Sequence, residues 1–128
     1  MPSTKTNPDD VLPLTPAVFH ILLALADGER HGYAIMQEVK QSTDDRIKMG
    51  PGTLYGTIKR LLKAGLVKET DERPDPDLDD ERRRYYQLTG LGNRVLKAEA
   101  ERLAALVELA HGKRLIGRPA AFTGGLHA

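Results

Sequence analysis

Lys59 and Lys63 lie four residues apart, so a helix that carries both presents them on one face, and Gly52 and Gly56 fall further up the same face. Thr53, Tyr55 and Thr57 border that face with hydroxyls, and Arg60 stands beside the lysines. Ammonium groups suit phosphate oxygens, hydroxyls suit phosphates or base edges, and a glycine lets the backbone approach a groove floor. This is the chemistry of a helix that enters the major groove of double-stranded DNA. A second candidate contact is His31-Gly32-Tyr33 at the start of a helix. There the unpaired N–H groups and the positive end of the helix dipole favour an anion. A third is the run Arg82, Arg83 and Arg84, placed to reach a phosphate or the minor groove.

Other chemistries fit less well. Asp75, Asp77 and Asp79 alternate as in a calcium loop, but the sixth position is Asp80 where glycine is needed and the twelfth is Tyr86 where glutamate is needed. The histidines His20, His31, His111 and His127 show no ligand spacing, and there is no cysteine to supply a thiolate or a disulfide. No glycine-rich phosphate loop, nucleophile elbow or acid–base pair occurs. No metal, cofactor or catalytic activity is expected.

The elements that position the cationic face read clearly. Gly50-Pro51 opens a helix, since proline fits its first turn. Leu54, Ile58, Leu61 and Leu62 form its buried stripe, and Gly65 ends it. Upstream, Thr15-Pro16 starts a densely apolar helix with Val18, Phe19, Ile21, Leu22, Leu23 and Leu25, ending at Asp27-Gly28. A second helix begins near His31 and carries Ile35, Met36 and Val39, and residues 44–50 make the turn between it and the third. Residues 66–72 and 83–88 read as strands, and the proline-containing 73–80 as the loop joining them. Leu88 should point inward, which leaves Tyr86 half-buried. Thr89 then caps a helix to about Ala110. Such a helix spans about 30 Å, more than one small domain covers, so its natural partner is the same helix of a second copy, the alternative being a helix that folds back on its own domain. Phe19, Leu22, Val95, Leu96, Leu103, Leu106 and Leu109 are the expected dimer contacts.

The fold class is mainly α with a small β-hairpin: a winged helix-turn-helix plus a long C-terminal dimerisation helix. Residues 1–11 are read as a flexible arm, 12–88 as the winged helix, 89–113 as the dimerisation helix and 114–128 as a flexible tail. The net charge is only +1. However, residues 71–81 hold seven acids against Arg73, a local charge of −6, so the rest of the chain carries +7. That acidic tip, close to the three arginines, would either oppose loose phosphate binding within a Debye length of about 8 Å or be a solvated loop with no effect on DNA. No apolar run approaches the roughly 18 residues of a membrane span, and no signal peptide is evident, so a cytoplasmic protein is expected.

In order and spacing the chain resembles the PadR family of transcriptional regulators over about residues 14–110. The matching blocks are Leu14-Thr15, His31-Gly32-Tyr33, Gly52-Thr53-Leu54-Tyr55, Arg60-Leu61 with Gly65-Leu66-Val67, Arg83 to Thr89, and Gly92. The resemblance, closest to the branch with a single C-terminal helix, implies a homodimeric repressor that binds operator DNA. It also implies a small hydrophobic effector near the dimer interface, for which Phe19 is the aromatic candidate. Gly56 departs from the family, which commonly has proline after the Leu-Tyr pair, and the acidic wing tip is unusual. The rival reading is a winged helix that binds another protein and no DNA. Salt separates the two, since phosphate contacts weaken steeply as it rises.

Overall fold

The computed structural model describes residues 7–70 and 84–117. Four helices, α1 (Pro16–Ala24), α2 (Gly32–Ser42), α3 (Pro51–Ala64) and α4 (Gly90–Gly112), surround a small antiparallel sheet. Its strands are β1 (Arg30–His31), β2 (Val67–Thr70) and β3 (Tyr85–Leu88), in the order β1-β3-β2. This is a winged helix-turn-helix followed by a long helix.

Local chemistry sets the boundaries. Thr15 caps α1 by accepting from the N–H of Val18 at 3.2 Å, and Thr89 caps α4 by accepting from that of Gly92 at 2.9 Å. The Thr89 hydroxyl also donates to the carbonyl of Gly65 at 2.6 Å, which ties the start of α4 to the end of α3. Gly65 takes φ of 81°, the left-handed conformation that ends α3. Gly92 is needed for a different reason: a Cβ there would collide with the carbonyl of Leu66. In the turn between α2 and α3, the Thr43 hydroxyl donates to the carbonyl of Val39 at 2.8 Å and accepts from the N–H of Ile47 at 3.1 Å.

The core gathers Ile21, Leu22 and Leu25 of α1, Ile35 and Val39 of α2, and Leu54, Ile58 and Leu61 of α3. Tyr86 and Leu88 of β3 join it with Val95 and Leu96 of α4. Three expectations change. The two-residue β1 was not foreseen; it pairs Arg30 with Tyr86 and His31 with Tyr85, making β3 the central strand. As a result Tyr86 is 4% exposed, fully inside the core, where half-burial was expected. Residues 8–11, assigned to a flexible arm, form a 3₁₀ turn (Pro8–Val11) packed against α4. The acidic wing tip at 71–81, Arg82, Arg83 and the tail from 118 lie outside the described residues.

Candidate nucleic-acid interface

The outer face of α3 is built as its spacing implies. Leu54, Ile58 and Leu61 are buried, which turns Gly52, Thr53, Lys59, Arg60 and Lys63 into solvent. Gly56 is flanked by open space where a side chain would stand. Gly50 caps the helix with no side-chain hydrogen bond, and the first turn holds no acid. The positive end of its dipole is therefore not neutralised by its own first turn.

Two residues assigned to this face belong elsewhere. Thr57 is only 2% exposed, and its Oγ1 accepts from Nη2 of Arg60 at 3.2 Å. At 100° per residue it lies 60° from Leu54 and 40° beyond Leu61, at the edge of the buried stripe. Tyr55 is half-buried: its ring covers Gly32, and a Cβ at Gly32 would overlap it. Gly32 is itself buried, so its missing side chain admits Tyr55, where the approach of a phosphate was expected. Tyr55 also lines a groove of ≈ 300 Å³ between α3 and the hairpin, with Ile58, Leu62, Glu69, Arg84 and Tyr86.

At the start of α2, His31 is the cap: its Nδ1 accepts from the N–H of Ala34 at 3.1 Å. A nitrogen that accepts carries no proton, so this cap requires the tautomer with hydrogen on Nε2. Tyr33 is 40% exposed and stacks on His31 with ring centroids 6.5 Å apart, and Tyr85 meets His31 edge-on at 5.4 Å. This aromatic cluster depends on β1, and Tyr85 could not be assigned to it without that strand. Arg84 is exposed and pairs with Glu69 across the hairpin at 3.4 Å.

The long helix shows a second division. Val95 and Leu96, together with Leu22 of α1, were expected at a dimer interface, but they are 0%, 7% and 0% exposed. The protomer's own core occupies them, and nothing remains for a partner to cover. Leu103 and Phe19 are half-buried, whereas Leu106 is 48% and Leu109 56% exposed. Between the two halves Glu99 is buried, a position no apolar count selects. Its carboxylate accepts from Nε and Nη2 of Arg102 at 2.6 and 3.0 Å and from the N–H of Leu14 at 3.0 Å. The Arg102 bonds outweigh the opposing effect of burial, and with help from Leu14 they hold this carboxyl below the usual glutamate range. A groove of ≈ 380 Å³ opens beside it, lined by Leu14, Pro16, Phe19, His20, Arg102 and Leu103.

No group of three or more metal-ligating side chains occurs among the described residues, and no described helix is long and apolar enough to cross a membrane. A sequence model of the Transcriptional regulator PadR-like family matches residues 21–98. A transcriptional regulator of Mycobacterium tuberculosis is 37% identical over 87 residues, 68% of this chain and 75% of its own. An uncharacterized 37.1 kDa protein of a Streptomyces fradiae transposon is 40% identical over 86 residues, and the chain spans 67% of itself but only 22% of that protein. The crystal structure of Bacillus subtilis PadR in complex with operator DNA superposes with a TM-score of 0.57. It is 23% identical and covers 67% of this chain and 47% of its own, a likeness of fold.

Proposed function

Because the chain belongs to the PadR-like family of transcriptional regulators, we propose that it is a cytoplasmic repressor that binds operator DNA as a homodimer. The observation that carries this reading is the outer face of α3, where Gly52, Thr53, Lys59 and Lys63 are exposed and Gly56 has open space above it, while Leu54, Ile58 and Leu61 are buried. Support comes from the Bacillus subtilis PadR–operator complex, which shares the fold. In this reading Thr53 and the backbone at Gly52 and Gly56 meet base edges, and Lys59 and Lys63 meet phosphates. His31 and Tyr33 add contacts at the start of α2, and the arginines 82–84 reach the flanking backbone.

Dimerisation runs through the distal part of α4, helped by Phe19. Burying one leucine fully contributes about 1.5–3 kcal/mol, so Leu103, Leu106 and Leu109 together supply a driving force of several kcal/mol. Two copies then address half-sites about 34 Å apart on one face of DNA. The groove beside Phe19, next to this surface, is the place for a small hydrophobic effector that releases the DNA. Selection of bound fragments from random duplex DNA, followed by titration in salt, tests the proposal. An enriched two-fold site whose affinity falls steeply with salt is expected. No enrichment, with salt-insensitive binding to a protein partner, refutes DNA recognition.

A further inference from the structure

We propose that Glu99 is a positioning residue that pins α4 at one angle to the unit carrying α3, and so sets the half-site spacing a dimer accepts. The part concerning DNA rests on the regulator reading above; the pin itself does not.

Glu99 lies on the apolar stripe of α4, between Val95 and Leu96 on one side and Leu103 and Leu106 on the other, yet it is 1% exposed. Both carboxylate oxygens are engaged, Oε1 by Arg102 and Oε2 by Arg102 and the backbone of Leu14. Leu14 directly precedes Thr15, the cap of α1, and follows the 3₁₀ turn that packs on α4. One side chain thus joins the middle of α4 to the origin of α1. From there α1 packs on α2, and α2 on α3.

An apolar residue at 99 would complete the stripe and still bury its surface. Apolar burial is non-directional, so it discriminates between neighbouring angles less sharply than a hydrogen bond does. The bond from the N–H of Leu14 is directional and crosses from the start of α1 to α4, while the two-point pair with Arg102, which lies within α4, fixes the direction in which the carboxylate points. Only the Glu99 end of that pair is buried, and a buried carboxylate needs its hydrogen bonds kept, which holds Leu14 against it. Position matters as well. Leu109 lies ten residues beyond Glu99, about 15 Å along the helix, so a tilt of about 10° at the pin moves it by about 2.6 Å. That approaches the rise of one base pair, about 3.4 Å.

The chain has no cysteine, so Lys59→Cys with Ala104→Cys gives one defined pair of spin labels per protomer. Labelled protein is diluted in unlabelled protein, so that the double electron–electron resonance distance is intramolecular. Ala104 lies five residues, about 7.5 Å, beyond the pin, so in Glu99→Met the distance distribution should widen by about 1–1.5 Å, the displacement a tilt of that size produces there. A distribution of unchanged centre and width overturns the pin. Should Glu99→Met not melt cooperatively, Glu99→Ala is judged by the same two outcomes, because it too removes the acceptor for Leu14 and leaves a smaller apolar group in its place.

The companion experiment inserts one base pair between the half-sites of the selected DNA, which rotates them by about 34°. Unlabelled wild type should lose about tenfold or more in affinity and Glu99→Met about threefold or less, since a looser joint tolerates the rotation. Equal losses overturn the role in spacing. A widened distribution in a protein that binds no DNA upholds the pin and removes the regulator reading.

Discussion

The two halves of α4 carry the same apolar spacing and meet opposite fates. From Gly92 to Leu96 the stripe is sealed within the protomer; beyond Glu99 it passes from half-buried Leu103 to exposed Leu106 and Leu109. Periodicity therefore tells which residues share a face, but not what covers it. The same holds on α3, where a buried stripe and a cationic face share fourteen residues. What separates the halves is reach. The winged helix ends beneath Glu99, and beyond that point α4 extends past its own domain.

The contrast can be broken at either end. Val95→Asp places a carboxylate in the fully buried half and should cost about 3 kcal/mol or more, enough to abolish cooperative melting in a domain of marginal stability. Leu103→Glu with Leu106→Glu places two charges in the exposed half. That variant should keep the far-ultraviolet dichroism and melt of a folded protomer yet sediment as a monomer, with operator affinity greatly reduced. A double variant that still sediments as a dimer moves the interface away from α4.

How much of this was legible follows the same line. Thr15, Gly65 and Thr89 announced the helix ends because a cap is a local bond between near neighbours, and local chemistry is written in adjacent residues. The cationic face of α3 was legible for the same reason. Leu22, Val95 and Leu96 were misassigned because a stripe of leucine and valine reads alike whether its own core or a second copy covers it. Thr57 is polar and stands at the edge of the stripe, 40° beyond Leu61, so its spacing suits a flank as well as the interior. Gly32 and Tyr55 meet across the fold, a tertiary contact that neither segment signals alone. β1 is two residues long and pairs with a strand more than fifty residues away, too short for any pattern. Glu99 was passed over because it is charged; a glutamate in register with Val95 and Leu103 was the available sign.

On α3 the contrast between inner and outer face is sharpened by Lys59→Ala. Lys59 is exposed, so its loss should leave stability almost unchanged. It should weaken binding to all DNA sequences alike and flatten the salt slope by about one. Filter binding of selected and unrelated duplexes over a range of salt measures both. A loss confined to the selected sequence would make Lys59 a reader of bases.

The smallest effect sits at the boundary between the halves of α4. The bonds from Arg102, and then from Leu14, hold the Glu99 carboxyl below its ordinary range. A carboxylate whose value is depressed on folding stabilises the native state above the unfolded glutamate range, and that contribution is lost as pH falls through the folded value. Arg102 on α4 stays charged throughout, and His20 on α1 lines the same groove, so acidification alone would mix several groups. Comparison with Glu99→Gln isolates the one of interest, since the amide does not titrate. Wild type should melt at the higher temperature near neutral pH, and the gap between the two should close as pH drops below the usual glutamate range. A gap that stays constant down to strongly acid pH would mean that the charge on Glu99 contributes nothing, and that its hydrogen-bonding shape alone joins α4 to Leu14.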